Sequence, residues 1–485
     1  MAKEMTNSRP LFVDLDGTLV STDTLWESCL LFIKRNPLQS WQLILWLFSG
    51  RAYFKNKIAE HVIPKAETLP YRDEVVGYIS KAKDAHRDVY LLTAANQRVA
   101  DSVSKHIKNF TATLGSDSKV NLKGKSKLTA IRTTIGKKAF DYIGDSKADV
   151  GIWQAAHTAI IGSGKNKLAN KLDKDIDKIV ILASGGTKLF RRWIKALRLH
   201  QWSKNGLLFL ALFMSHRILE INLFKQAIIA FFSFSFSASA VYILNDLFDL
   251  EEDRKHPSKR YRPFASGRLS VVYGIFAIPS LLIASFLLAD ILLPKIFMVV
   301  LIVYLITTTS YSIYLKEKLF LDVFILGVLY TLRVLAGGLA VEIEVSSWLL
   351  GFSFFFFLSL AFMKRYTDLL LIKNTNQGEL FGRGYSVINL EIVRKLGIAV
   401  GFVSLVILAF YIKSDQVIFL YNFPELIWLT IPILFYWLMR MWLVTHRNKM
   451  TDDPIIFAIK DKSSYFLFSL IVLVLYVATN LDLLN

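Results

Sequence analysis

Asn245-Asp246-Leu247-Phe248-Asp249-Leu250-Glu251-Glu252-Asp253 ends a long apolar run, Ala227 to Leu247, and a basic loop follows at once. On a helix, Asp246, Asp249 and Asp253 fall at i, i+3 and i+7, so their carboxylates share one face, with the amide of Asn245 at its edge. Carboxylates so placed repel one another unless a cation lies between them. A hard cation such as Mg2+, held jointly by carboxylates and substrate phosphates, suits that arrangement. A solvated acidic helix end is the bland alternative. Ionisable groups that close a membrane-length apolar segment are costly, however, which favours function.

The rest of the chain agrees with a membrane setting. Of 485 residues, 53% are hydrophobic and 36 are Phe, and the mean hydropathy is +0.41. A net charge of +19 in so apolar a chain points to loop charges and phosphate partners, not to nucleic acid. One Cys excludes an internal disulfide framework and a Cys-based zinc site. Met1 to Pro10 lacks the apolar core of a signal peptide.

Two regions follow from the pattern. Up to about residue 187 the sequence is mixed and globular; from 188 it is a series of apolar spans. In the first, Leu11-Phe12-Val13 runs into Asp14 and Asp16, Val89 to Leu92 ends in Thr93, and Phe140 to Ile143 ends in Gly144-Asp145-Ser146. Thr158 to Ile161 and Lys178 to Leu182 are further strand candidates. Strands that deliver polar residues at their carboxyl ends, with helices between, predict an α/β parallel sheet. Residues 21–83 read as a helical cap. Within it, Trp41 to Phe48 is too short to span a bilayer and is expected in the cap core, with membrane-surface contact as the alternative.

The second region predicts about nine transmembrane helices: near Asn205–Leu219, Leu223–Leu247, Leu269–Leu288, Pro294–Tyr314, Leu319–Val341, Ser346–Phe362, Lys395–Ile412, Leu426–Val444 and Ser464–Thr479. Lys and Arg concentrate in alternate loops. The positive loops are therefore expected on the cytoplasmic side, together with the N-terminal domain. Nine spans put Asn485 on the far side.

Asp14, Asp16, Thr93, Lys127 (with Lys123 and Lys125 nearby), Asp145 and Asp149 resemble the four motifs of the haloacid dehalogenase-like (HAD) phosphatases over nearly the whole first region. The resemblance implies Asp14 as nucleophile and Asp16 as general acid and base. Thr93 and Lys127 would hold and neutralise the phosphoryl group, and Mg2+ would sit on Asp14, Asp145 and the Asp16 carbonyl with Asp149 in support. An ion pump is discounted, because Leu15-Asp16-Gly17-Thr18 stands where pumps carry Lys-Thr-Gly-Thr.

Asn245 to Asp253 and the following His256 to Gly267 resemble the UbiA superfamily of intramembrane prenyltransferases, which implies an all-helical bundle with Mg2+ on Asn245, Asp246, Asp249 and Asp253. Lys259, Arg260 and Arg262 could clamp a phosphate or simply mark the cytoplasmic side. The second acidic motif usual in aromatic prenyltransferases is reduced to Asp322. Instead, Arg198 to Asn205, Tyr311 to Lys316, Leu332-Arg333 and Lys364-Arg365 resemble the polyprenyl-phosphate phosphoribosyltransferases. His200 replaces their proline.

That branch implies phosphoribosyl pyrophosphate as donor and a polyprenyl phosphate as acceptor, in a bacterial cytoplasmic membrane. Lys204, Asn205, Lys259, Arg260, Arg262, Tyr311, Lys316, Asp322, Arg333, Lys364 and Arg365 are the expected substrate residues. Two alternatives stay open: Arg333 pairs with a buried acid, and Lys364 and Arg365 pair with Asp368. Two rival functions also remain, an aromatic prenyltransferase and a membrane-anchored phosphatase with an inert bundle.

Overall fold

A computed structural model describes residues 9–162, 178–182, 189–374, 383–450 and 453–480. The expected domain boundary at 187/188, the first eight residues and Asn485 lie outside them. The chain divides into two compact units. The first joins residues 1–197 to 242–278, so the acidic stretch and its basic loop belong with the N-terminal region. The second comprises residues 198–241 and 279–485.

In the first unit, six strands form one parallel sheet in the order β3-β2-β1-β4-β5-β6. They are β1 (Leu11–Val13), β2 (Val89–Asn96), β3 (Ala112–Ser116), β4 (Asp141–Gly144), β5 (Thr158–Ile161) and β6 (Lys178–Ile181). Leu11, Val13, Leu91, Ile143 and Ile160 are fully buried, as central strands of a sheet covered on both faces must be. β2 runs three residues beyond Thr93, with a register shift between Leu92 and Asn96.

Helices α1 (Thr24–Arg35), α2 (Gln42–Phe48) and α3 (Arg51–His61) build a small core of their own around Cys29, Phe32, Ile58 and Val62. Helix α4 (Asp73–Asp84) instead buries Val75, Ile79 and Ala82 in the sheet core, so the separate cap core ends before residue 73. α2 corrects an expectation. None of its residues is buried, and Phe48 is 86% exposed. Only Leu43 and Trp46 pack against the cap core, because a helix of seven residues turns too few side chains inward to bury the rest.

Among the described residues eight helices, not nine, are long and apolar enough to cross a membrane. The expected first span, Asn205–Leu219, is instead a 3-10 stretch, Leu199–Phe209, followed by a short helix, Leu210–Met214. Its polar side chains are engaged: Asn205 is buried and donates to Ser235 at 2.9 Å. His216 then breaks the chain direction with φ +58. The far-side placement of Asn485 rested on the odd count and loses that support.

In the second unit small residues let helices close. Ser233 and Ser237 of the Ile221–Phe248 helix bond Ser285 of the Val271–Leu292 helix at 3.2 and 2.7 Å, a packing mode suited to lipid-embedded helices. A Cβ on Gly337 would lie 2.1 Å from the Leu208 carbonyl oxygen, so only glycine allows the Leu321–Ala340 helix that close to the 3-10 stretch.

Candidate active sites

β1 delivers Asp14 to the carboxyl end of the sheet. One of its oxygens accepts from the Leu15 amide at 2.8 Å and meets Lys127 Nζ at 2.7 Å. Of the three neighbouring lysines it is Lys127, on α5 (Lys125–Ile135), that reaches the acids. Its ammonium also donates to the Tyr142 hydroxyl at 3.0 Å. Asp16 accepts from the Thr24 amide at 2.8 Å. Thr93 is fully buried, and its hydroxyl accepts from the Ala95 amide at 3.0 Å. The turn at Gly17 has φ +75, and the Asp145 carboxylate lies 2.6 Å from where a Cβ would sit. Glycine is therefore required for Asp145 to approach Asp14.

Burial raises Asp14 to about 6, with Lys127 opposing. Burial, then the charge of Asp23, pushes Asp16 up to about 8. Asp16 is thus biased further toward its protonated form than Asp14 beside it.

Asp14, Asp145 and Asp149 each offer an oxygen within 4.8 Å of the others. Hard oxygen donors so grouped fit Mg2+. Asp149 is already occupied, by Tyr142 at 2.9 Å and by the Ser146 amide and hydroxyl at 3.1 and 2.7 Å. Asp14 likewise meets the Leu15 amide and Lys127, so these acids are held in place by polar partners of their own.

A cavity of about 1150 Å3 opens over these acids. Lys55 and Arg72, two of the cations on its wall, carry no motif in the sequence. Lys55 of α3 donates to the Ala94 carbonyl at 2.6 Å and to Asn121 at 2.9 Å. Arg72 donates to the Gly17 carbonyl at 3.2 Å. Lys55 stands next to Phe54 and three residues before Ile58, which pack in the cap core, and only the fold brings it to the site.

The acidic stretch straddles a helix junction. One helix ends at Phe248, Asp249 is the N-cap residue, and a short helix, Leu250–Lys255, follows. Asp246 and Asp253 both accept from Arg262, at 3.1 and 2.7 Å. Asp249 meets Lys34 of α1 at 3.4 Å, and the same ammonium reaches Glu252 at 3.2 Å. Asn245 is half-buried at the same helix end. Burial, opposed by Arg262, raises Asp253 to about 6. Arg262 thus neutralises two acids of the motif directly. Lys259 and Arg260 are exposed, and Arg260 stacks over Tyr261 at 4.8 Å.

In the second unit the expected bases form two clusters. Lys204 and Lys364 both meet Asp453, at 2.8 and 3.3 Å. Burial raises Asp453, but Lys204 and then Lys364 hold it well below the usual carboxylate range. Lys204 and Arg333 lie 5.7 and 5.5 Å from the ring centre of Tyr330. Arg333 faces the interior, as expected, and donates to Asn205 at 2.9 Å, to Tyr304 at 3.0 Å and to the Leu329 carbonyl. Among the described residues no carboxylate pairs with it.

The second cluster centres on Asp322, fully buried, with Arg365 at 2.7 Å and Arg383 at 3.4 Å. Tyr385 donates to the same carboxylate. Arg365 also pairs with Asp368 at 2.6 Å. The Asp368 alternative therefore holds for Arg365, whereas Lys364 goes to Asp453. Arg383 meets Tyr311 at 3.2 Å, and Lys316 is half-buried on the loop before Asp322. Asp453 escaped the sequence reading because its partners are up to 249 residues away.

Comparison with known proteins places these features in a lineage. The chain is 35% identical over 463 residues to the uncharacterized protein y4nM of Sinorhizobium fredii, covering 95% of this chain and 89% of that one. It is 33% identical over 278 residues to the nodulation protein NoeC of Azorhizobium caulinodans, covering 57% and 89%. A decaprenyl-phosphate phosphoribosyltransferase of Mycobacterium tuberculosis is 34% identical over 194 residues, 38% of this chain and 61% of its own. Among solved structures, a UbiA homolog from Archaeoglobus fulgidus bound to GPP and Mg2+ aligns over 59% of this chain and 99% of its own, at 16% identity and a TM-score of 0.46. The UbiA prenyltransferase family matches residues 207–471. This multi-pass membrane protein belongs to the UbiA prenyltransferase family.

Proposed function

We propose that the bundle transfers 5-phosphoribosyl from phosphoribosyl pyrophosphate to a polyprenyl phosphate, and that the N-terminal domain is a HAD-like phosphatase acting on the phosphoribosyl lipid. One observation carries the pairing. The cavity over Asp14, Asp16 and Asp145 is also lined by Gly267 and Ser270, from the loop that follows the Asp246–Asp253 acids. A product of the second chemistry would meet the first without leaving the compact unit that holds both sets of acids.

In the transfer, an oxygen of the lipid phosphate bonds C1 of the ribose as the bond from C1 to pyrophosphate breaks. Charge gathers on the departing diphosphate, so the protein's task is to hold and neutralise it. Asp246, Asp249 and Asp253, with Asn245, would hold Mg2+, which supplies positive charge to that leaving group when bound. Arg262 would exchange its carboxylate partners for phosphate oxygens. The phosphoribosyltransferase relatives support the choice of donor.

In the hydrolysis, an Asp14 oxygen bonds phosphorus while the bond to the ribose 5-oxygen breaks, and Asp16 gives that oxygen its proton. Water then bonds phosphorus, its proton returns to Asp16, and Asp14 is freed. Lys127 holds Asp14 in place, and Lys55 and Arg72 face the phosphate. Mg2+ on Asp14 and Asp145 would offset charge on the phosphoryl group.

The test is incubation of the purified full-length protein with labelled phosphoribosyl pyrophosphate and polyprenyl phosphate, with mass analysis of the lipid. Wild type should yield the ribosyl lipid, and Asp14→Asn the 5-phosphorylated one. Identical products would refute the pairing.

A further inference from the structure

We propose that helix α2 lies in the bilayer surface, and that the N-terminal cavity takes an amphiphilic phosphomonoester whose apolar chain leaves along the wall α2 provides. The substrate half rests on the phosphohydrolase reading above; the docking half does not.

Leu38 is 90% exposed and Phe48 86%, with Trp41 and Leu45 more than half exposed. Large apolar side chains gathered this densely on one surface mark an interaction site. The segment is not loosely held. Trp46 packs on Phe32 with ring centres 5.2 Å apart and on His61 at 5.1 Å, so the outward face is presented on a fixed base. Exposed Arg35 and Arg51 flank it. Apolar side chains including Trp, edged by Arg, suit the headgroup boundary of an anionic membrane.

What covers this face is indicated by the helix beside it. Leu43, Ile44 and Leu47 line the cavity together with Val272, Tyr273 and Ile275. The latter are the first turns of Val271–Leu292, a helix long and apolar enough to cross a membrane. The start of that helix would lie at the edge of the bilayer, and Ile44 and Leu47, exposed and on the cavity wall, join the outward face of α2 to it. The same cavity ends at Asp14, Asp16 and Asp145 with Lys55 and Arg72. Charge at one end and an apolar wall at the other match a lipid-linked phosphate better than a free sugar phosphate.

The full-length protein in nanodiscs of phosphatidylethanolamine and phosphatidylglycerol tests both halves. Leu45→Glu with Phe48→Glu changes two residues that do not line the cavity. Hydrolysis of hexadecyl phosphate in the bilayer should fall by about ten-fold or more, while that of p-nitrophenyl phosphate in water stays within about two-fold. Equal loss on both probes, or no loss on either, overturns the lipid route. Separately, Phe48→Cys carrying a polarity-sensitive dye should emit as in an apolar medium and be quenched by spin-labelled lipid. Water-like, unquenched emission, or shielding by a second copy that persists in detergent, overturns the docking. If the dye is quenched but wild type hydrolyses neither probe, docking stands and the phosphohydrolase reading falls.

Discussion

Arg254 grips the Glu27 carboxylate with two nitrogens, at 2.5 and 2.9 Å, and both side chains are almost fully buried. Glu27 also accepts from the Thr22 hydroxyl at 2.6 Å, and Arg254 donates to the Ala265 carbonyl at 2.9 Å. The pair joins α1 to the end of the acidic stretch and to its basic loop. With Lys65 N–H donating to Glu251 at 2.9 Å and Lys34 bonding the Phe248 carbonyl at 2.7 Å, it ties the motif to the N-terminal domain.

Removing one partner strands a buried charge. Arg254→Met or Glu27→Gln should each destabilise the first unit by about 3–5 kcal/mol, whereas Arg254→Met with Glu27→Leu should cost much less. Denaturant unfolding of the three variants checks this. A double variant as unstable as the sum of the singles would contradict it.

Asp16 accepts a backbone N–H and is biased toward its protonated form, which fits a donor to the leaving oxygen. On the proposed phosphohydrolase reading, Asp16→Asn should lower kcat by about 10²–10⁴-fold. Steady-state rates with a phosphomonoester measure it, and an unchanged kcat would remove Asp16 from the chemistry.

Asp453 is held low by Lys204 and Lys364. A depressed carboxylate contributes stability above its unfolded pKa, about 3.9 for Asp, and loses it only in stronger acid. The Tm gap between wild type and Asp453→Asn should thus be the same at pH 8 and pH 5. A gap that closes by pH 5 would contradict the ion-pair account.

Cys29 is buried in the cap core, and burial pushes its thiol up to about 12. Since the thiolate is the nucleophile, iodoacetamide at pH 8 should leave the native protein unmodified and label it on unfolding. Fast native labelling would mean that the cap opens.

The strand ends carrying Asp14 and Asp145 were legible because short apolar runs stop at polar residues, and parallel strands place such ends together. β3 was not. Ala112 to Ser116 has little apolar character, lies at the sheet edge, and is held by Gln97, which accepts from the Gly115 amide at 2.6 Å. Among the described residues, the eight helices long and apolar enough to cross a membrane were legible from length and hydropathy. The segment after Lys204 was overread, since its apolar residues belong to a 3-10 stretch pinned by Asn205. α2 is exposed where the cap core was expected, because apolar content alone does not tell a protein core from an exposed apolar surface. Lys55, Arg72 and Asp453 reach their sites through tertiary contacts that no local spacing encodes.

The central claim is that acids at the end of a membrane helix serve departure of a diphosphate from ribose. Its most direct test is the lipid product formed from labelled phosphoribosyl pyrophosphate and polyprenyl phosphate by wild type and by Asp246→Asn. The account predicts label in the lipid with wild type plus Mg2+, and none with Asp246→Asn or with chelator. Equal labelling by Asp246→Asn, or labelled lipid only when a prenyl diphosphate and an aromatic acceptor replace these substrates, would contradict it.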